Sequence, residues 1–243
     1  MKIAMVDVDE GVLAQSAAKL ELEGATVRAL PLDVTDRSGW RMVAEQVASD
    51  FGPVQLLCNN AGVSTLGLKF DDVTPEMWDK VVDINLTGVY NGVRACIEQM
   101  RSAGGGHIVN TSSMGGLFGG FPNLGPYVAT KFAVVGFSES LRAEFAADNI
   151  GVSVLCPGSV RSRLWRTSRK VRGLPDTEVP PDDVSAQSAS AEALDPYQVG
   201  LQVVDAVRNN KLYIVTDAQQ KSMVTKRAER ILRAFDRVEL SHP

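Results

Sequence analysis

A chain of 243 residues, 44% hydrophobic and 22% charged, has enough apolar material to bury a core in one large domain. Its formal net charge of -4 argues against a nucleic-acid partner, because affinity for phosphate backbones comes from clustered Lys and Arg that release counterions. The opening run from Met1 meets Asp7 too soon for a signal peptide or membrane span, and Cys58, Cys96 and Cys156 lack metal-ligand spacing, so a cytoplasmic protein with buried, inert thiols is expected.

In chain order, short β-branched runs alternate with longer helical segments. Ile3–Val6 reads as a strand, Glu10–Glu23 as a helix, Thr26–Leu30 as a strand and Asp36–Asp50 as a helix. After strand Val54–Cys58 comes a long helix, Pro75–Ser102, introduced by Thr74 as a cap candidate, Pro75 in the first turn and Glu76 to meet the helix dipole. Strand His107–Asn110, helix Pro126–Asp148, strand Val152–Cys156, helix Pro196–Asn209 and strand Leu212–Val215 follow. The strand runs are apolar almost throughout, which suits parallel pairing beneath helices on both faces. The expected fold is therefore α/β, a doubly wound parallel sheet forming a single domain over residues 1–243. Within it, the polar, proline-containing stretch 163–195 is expected to be a loop, either a plain surface connection or a substrate lid. Residues 218–238 read as an amphipathic helix with Val224, Ala228, Ile231, Leu232, Phe235 and Val238 on one stripe, suited to packing on the body or on a sister subunit.

The residues that carry chemistry lie in the middle of the chain. Tyr127 and Lys131 stand at i and i+4 near the start of a helix, so the ammonium can approach the phenol. A phenol of pKa about 10 needs a shift of about 3 units, about 4 kcal/mol, to exchange protons near neutrality. One charge about 4 Å away supplies about 4 kcal/mol at an effective dielectric near 20, before desolvation takes part of it back. Lysine alone is marginal; a second positive charge would complete the shift. Singly, the other candidates have bland readings: Asn59-Asn60-Ala61-Gly62 as a strand-ending turn, Ser113 as a cap, Asn85 as a residue bonded to its own backbone. His107, after Gly104-Gly105-Gly106, reads as a turn residue, and neither it nor His242 completes a Ser-His-Asp order.

Together, Asn59-Asn60-Ala61-Gly62, Asn85 within Asp83-Ile84-Asn85-Leu86-Thr87-Gly88, Ser113, and Tyr127 with Lys131 resemble the short-chain dehydrogenase/reductase family, in order and spacing from Lys2 to about residue 217. The resemblance implies a Rossmann-like fold and hydride transfer between NAD and a secondary alcohol or ketone. It gives Tyr127 the general acid/base role, has Ser113 polarise the substrate oxygen, has Lys131 bind the nicotinamide ribose and lower the tyrosine's pKa, and has Asn85 hold a water in a proton relay. Ser112 competes with Ser113, whose fourteen-residue interval before Tyr127 is closer to the family's. Asp7, at the end of the first strand, would accept from the adenosine ribose hydroxyls and favour NAD over NADP, since Val8 and Asp9 follow and no Arg does. Asp33 and Val34 resemble the adenine-contacting pair, Asn60, Ala61 and Gly62 the wall of the cofactor cleft, and Pro157, Gly158, Val160 and Ser162 the nicotinamide loop. Ser162 stands where the family usually has threonine. Leu117, Phe118, Phe121, Pro122 and Leu124 suggest an apolar substrate wall or ordinary loop packing. Helices Pro75–Ser102 and Pro126–Asp148 resemble subunit-contact helices, so a homodimer or homotetramer is expected.

One family feature is missing. No glycine-rich loop and no strand precede Ile3–Val6, so the sequence reads as an N-terminally truncated member or as a non-catalytic binding or regulatory relative. In the strand order 3-2-1-4-5-6, the absent strand lies between Ile3–Val6 and Val54–Cys58. Its loss would leave a gap of about 10 Å, two strand spacings, or force those strands to pair directly.

Overall fold

The computed structural model describes residues 1–65, 67–171, 173, 193–236 and 238. Six strands, β1 (Lys2–Asp7), β2 (Thr26–Pro31), β3 (Leu56–Asn59), β4 (Gly106–Thr111), β5 (Ile150–Cys156) and β6 (Tyr213–Val215), alternate with eight α-helices among these residues. The helices are α1 (Glu10–Leu22), α2 (Arg37–Phe51), α3 (Pro75–Val82), α4 (Gly88–Ser102), α5 (Gly125–Glu144), α6 (Leu164–Val171), α7 (Pro196–Arg208) and α8 (Lys221–Phe235). Asp9, Asp36, Thr74 and Asp195 cap α1, α2, α3 and α7 by accepting from first-turn N–H groups. Each such cap is worth about 1 kcal/mol.

All ladders are parallel, but they form two sheets, β1-β2 and β3-β4-β5-β6. β1 and β3 share no ladder, so the expected single sheet is divided where the resemblance places a further strand. Of the two anticipated outcomes, separation rather than direct pairing is observed. One core nevertheless joins the halves: Leu32, Trp40, Leu57, Val93, Ile97, Met100, Ile108 and Val152 form a buried cluster on which Val6 and Val34 also pack. On the opposite face, α7 covers Val109, Leu155 and Ile214 through Val199 and Ala206. The alternation of Ile108 and Val109 between these clusters is the period of two expected of a strand buried on both faces.

Close helix–strand approach fixes α4 over β3. A Cβ on Gly92 would lie 2.2 Å from Asn59 Oδ1 and 3.1 Å from the Trp40 ring, so glycine is required there. Beneath it, Asn59 Nδ2 donates to Asn110 Oδ1 at 2.9 Å and Asn110 Nδ2 donates to Ser138 Oγ at 3.0 Å, a buried polar chain running from β3 to α5. Such groups are tolerated inside because each finds a partner.

Several expectations change. The helix expected over Pro75–Ser102 is interrupted by a π turn at Asp83–Thr87. α6 was expected to be loop; most of the remaining stretch 163–195 lies outside the described residues. Cys58 is exposed, not buried, because β3 is an edge strand on that side, whereas Cys96 and Cys156 are buried as expected. His107 is no turn residue: it is buried in β4 and its Nε2 bonds Ser153 Oγ at 2.8 Å. Ser153 Oγ donates to the Lys211 carbonyl, so the histidine side of that bond supplies the Nε2 proton. In α8, Val224 packs on the body and Arg227 covers the Phe132 ring, while Ile231, Leu232 and Phe235 are exposed. Among the described residues, no helix is long and apolar enough to cross a membrane.

Candidate active site

The candidate residues gather at the carboxyl ends of the strands, where open parallel sheets bind ligands. Asn59 ends β3, and the chain leaves through Asn60, Ala61 and Gly62; Thr111 ends β4 and is followed by Ser112 and Ser113. Beside them the π turn turns Asn85 into the protein, where it is fully buried. Its Oδ1 accepts from Val63 N at 2.8 Å, and its Nδ2 donates to the Val63 carbonyl at 2.9 Å and to Thr130 Oγ1 at 3.1 Å. Asn85 thus ties the segment after β3 to α5. Single π turns inside α-helices commonly accompany functional sites, because the extra residue re-aims a side chain.

Ser113 lies in extended backbone, φ -169°, and its Oγ accepts from Gly115 N at 3.1 Å. The same hydroxyl lies beside the Tyr127 ring, which projects from the first turn of α5: a Cβ on Gly115 would lie 3.5 Å from Ser113 Oγ and 3.9 Å from that ring. Ser112, by contrast, is buried and donates to the Lys131 carbonyl at 2.8 Å. The two serines thus differ in their surroundings: Ser112 is committed to the Lys131 carbonyl, and Ser113 lies beside the tyrosine ring.

One turn along α5, Lys131 is 3% exposed, with its Nζ donating to the Thr111 carbonyl at 2.9 Å and lying 5.5 Å from the Tyr127 ring centroid. Burial brings the Lys131 pKa down to about 8. Burial also raises Tyr127 above its ordinary value, against a smaller opposing effect from the Ser113 hydrogen bond. The ammonium lies against the ring, but the expected fall in the tyrosine's pKa is not present in this state: desolvation wins. The phenol is held protonated at neutral pH.

Gly62 runs close to this centre. A Cβ on Gly62 would lie 3.3 Å from Asn85 Oδ1 and 3.5 Å from Lys131 Nζ. Asn60 and Ala61 are exposed, and Asn60 Oδ1 accepts from Thr111 Oγ1 at 3.2 Å. Thr65, further along the same segment, is 1% exposed with no hydrogen-bond partner for its Oγ1. From β5, the Pro157 carbonyl accepts from Met114 N at 3.0 Å, Gly158 N donates to Thr216 Oγ1 at 3.1 Å, and Val160 bridges Leu194. Arg161 donates to the Ala193 carbonyl and pairs with Asp195, closing the base of the following excursion. Ser162, at the start of α6, accepts from Leu164 N at 3.4 Å.

The remaining candidates sit apart, on the β1-β2 sheet. Asp7 is exposed at the end of β1 and its Oδ1 accepts from Asp9 N at 2.8 Å. Asp33 Oδ1 accepts from Thr35 N and Thr35 Oγ1. Val34 is packed against Gly88, and its carbonyl accepts from Trp40 Nε1 and Asn91 Nδ2. In the proposed apolar wall, Phe118 belongs to the core with Met114, Val134 and Cys156, and Phe121 is 39% exposed with its ring 5.1 Å from that of Phe118. Sequence reasoning did not anticipate Thr111 or Thr130, the carbonyl and hydroxyl that hold Lys131 and Asn85; no periodic or spacing signal marks them.

Comparison with known proteins bears on the family. The family described as "short chain dehydrogenase" matches residues 1–173. The Mycobacterium tuberculosis protein called "Probable oxidoreductase EphD" is 35% identical over 168 residues, which take in 69% of this chain and 28% of that protein's length. A 3-alpha-(or 20-beta)-hydroxysteroid dehydrogenase of the same organism is 34% identical over 197 residues, covering 81% of this chain and 70% of that one. A Burkholderia phymatum short chain dehydrogenase/reductase, solved in complex with NAD, superposes with a TM-score of 0.86 at 29% identity over 100% of this chain and 88% of that one. The chain belongs to the short-chain dehydrogenase family of oxidoreductases.

Proposed function

We propose that this protein transfers a hydride between NAD and the carbinol carbon of a secondary alcohol or the corresponding ketone, on a substrate with an apolar flank. The observation that carries the reading is the Ser113 hydroxyl beside the Tyr127 ring, both within 4 Å of where a Cβ on Gly115 would stand, with the Lys131 ammonium 5.5 Å from that ring on the same helix. The residues fit a nicotinamide dinucleotide at two ends. Lys131 and the glycine-lined segment Asn60, Ala61 and Gly62 face one another at the first, and the Asp7 carboxylate is exposed for a ribose diol at the second. Pro157, Gly158, Val160 and Ser162 are assigned to the carboxamide side, and Asp33 with Val34 to the adenine. When bound, the oxidised nicotinamide supplies the hydride acceptor and a positive charge.

In the reducing direction Tyr127 Oη gives its proton to the carbonyl oxygen while Ser113 Oγ donates a hydrogen bond to the same atom. In the oxidising direction Tyr127 takes the alcohol's proton, and the raised phenol pKa makes this direction gain with pH. Lys131 supplies charge beneath the ring, and Asn85 fixes Gly62 and α5 relative to each other through Val63 and Thr130. The name of the hydroxysteroid relative and the exposed Phe121 ring support an apolar secondary alcohol. A cytoplasmic homodimer or homotetramer is part of the proposal, supported by exposed Trp78 and Tyr90 on α3 and α4.

A second reading, a non-catalytic binding or regulatory relative, is favoured by one observation, the missing ladder between β1 and β3. Nicotinamide absorbance followed with cyclic secondary alcohols, with NAD and NADP in parallel, separates the readings. Turnover with NAD supports the enzyme; NAD binding without turnover on the panel supports the binding relative, and preference for NADP sinks the assignment of Asp7.

A further inference from the structure

We propose that Arg163, immediately before α6, and Arg166, within it, grip the diphosphate of the bound dinucleotide, an assignment that rests on the NAD reading above. Both arginines line a cavity of about 70 Å³ together with Thr167 and with Asp7, Asp9 and Val12 from the end of β1 and the start of α1. Two carboxylates, two guanidiniums and a hydroxyl thus meet at the strand end assigned to the ribose. Carboxylates accept from a diol, whereas the planar guanidinium fork matches phosphate oxygens.

The placement of α6 points to the bridge between the two phosphates. Ser64 N donates to Ser168 Oγ at 2.8 Å, which anchors α6 two residues beyond Gly62. The helix therefore reaches both the ribose carboxylate at Asp7 and the segment of Gly62 beside Lys131, the two ends that a dinucleotide's diphosphate must connect. Arg163 sits at the entry to that helix, where its carbonyl accepts from Thr167 N at 3.0 Å, and Arg166 lies in the first turn; both line the cavity. Backbone groups at the start of α1 do not offer the same grip, because Asp9 Oδ1 already accepts from Val12 N at 3.1 Å. A 2′-phosphate at the ribose would meet the carboxylates of Asp7 and Asp9, so the diphosphate is the anion that suits this arrangement.

The cavity has room for about two waters and not for a nucleotide. Asp9 and Arg166 already hold partners within the protein, so ligand entry exchanges those contacts.

Calorimetric titration of ADP, 2′-AMP and adenosine into the parent, into Arg163→Gln/Arg166→Gln and into Arg163→Lys/Arg166→Lys tests the assignment. ADP should bind the parent more tightly than 2′-AMP does, lose at least about ten-fold in affinity in the glutamine variant and recover part of it in the lysine variant, while adenosine changes little. ADP bound equally or more tightly by the glutamine variant, or not bound by the parent, overturns the proposal. If arginine-dependent ADP binding persists in a protein that turns over no alcohol, only the redox reading fails; if turnover is present without that dependence, only the arginine assignment fails.

Discussion

Replacing Lys131 with methionine isolates the energetic cost of the site. Burial brings the ammonium from its ordinary 10.5 to about 8, a fall of about 2.5 units, or about 3 kcal/mol at about 1.4 kcal/mol per unit. The folded-state pKa lies below the unfolded one, so stability declines as pH falls through 10.5 and levels off below about 8. At pH 7 the full penalty applies, and at pH 9.5 about 1.4 kcal/mol of it remains. Methionine escapes this charge penalty but leaves the Thr111 carbonyl without its 2.9 Å donor, a loss of about 1–3 kcal/mol at every pH. The advantage of Lys131→Met over the parent should therefore shrink by about 2 kcal/mol between pH 7 and 9.5, whatever the hydrogen bond is worth. Urea unfolding of both proteins at the two pH values reads this difference, alongside a fall in turnover of at least about 100-fold. A stability difference independent of pH would refute the claim that a charged lysine is held buried beneath the phenol.

Asn85→Ala should lower stability by about 3 kcal/mol and the melting temperature by about 6–12 °C, because it strands the Val63 N–H and carbonyl in the interior; a melting point within a degree or two of the parent would remove the clamp from the account. Burial and the neighbouring Arg142 hold the His107 pKa below 6.5, so the unfolded chain takes up a proton that the folded protein resists. Stability should fall as pH drops through 6.5, and His107→Gln should flatten that slope between about pH 7 and 5; an unchanged slope assigns acid sensitivity elsewhere.

How much of this was legible in the sequence depends on where the forces act. β4 and β5 are buried on both faces, which leaves its mark directly in their composition, whereas β1 and β2 alternate between half-buried and exposed residues, Arg28 among the exposed. Ser113 could be separated from Ser112 by its interval to Tyr127, and the structure gives the cause, since Ser112 is committed to the Lys131 carbonyl. α6 was hidden because Arg163–Arg169 is strongly cationic and its anchor, Ser64 to Ser168, spans 104 positions. The π turn was equally silent: Asp83–Thr87 keeps helical composition, and the extra residue answers to Asn85's bonds with Val63 and Thr130, 22 and 45 positions away. His107 and Ser153 look like polar interruptions of strands until each supplies the other's buried partner. Local chemistry is written in short windows, whereas buried polar pairs are specified only when the fold brings distant segments together.

The central claim is that Tyr127 carries the proton of the redox reaction, and Tyr127→Phe tests it most directly when NADH binding and ketone reduction are measured on the same preparation. Binding should stay within about two-fold of the parent while turnover falls at least about 100-fold, because only the phenol's hydroxyl is removed and the ring stays in place. Turnover within ten-fold of the parent would contradict the account.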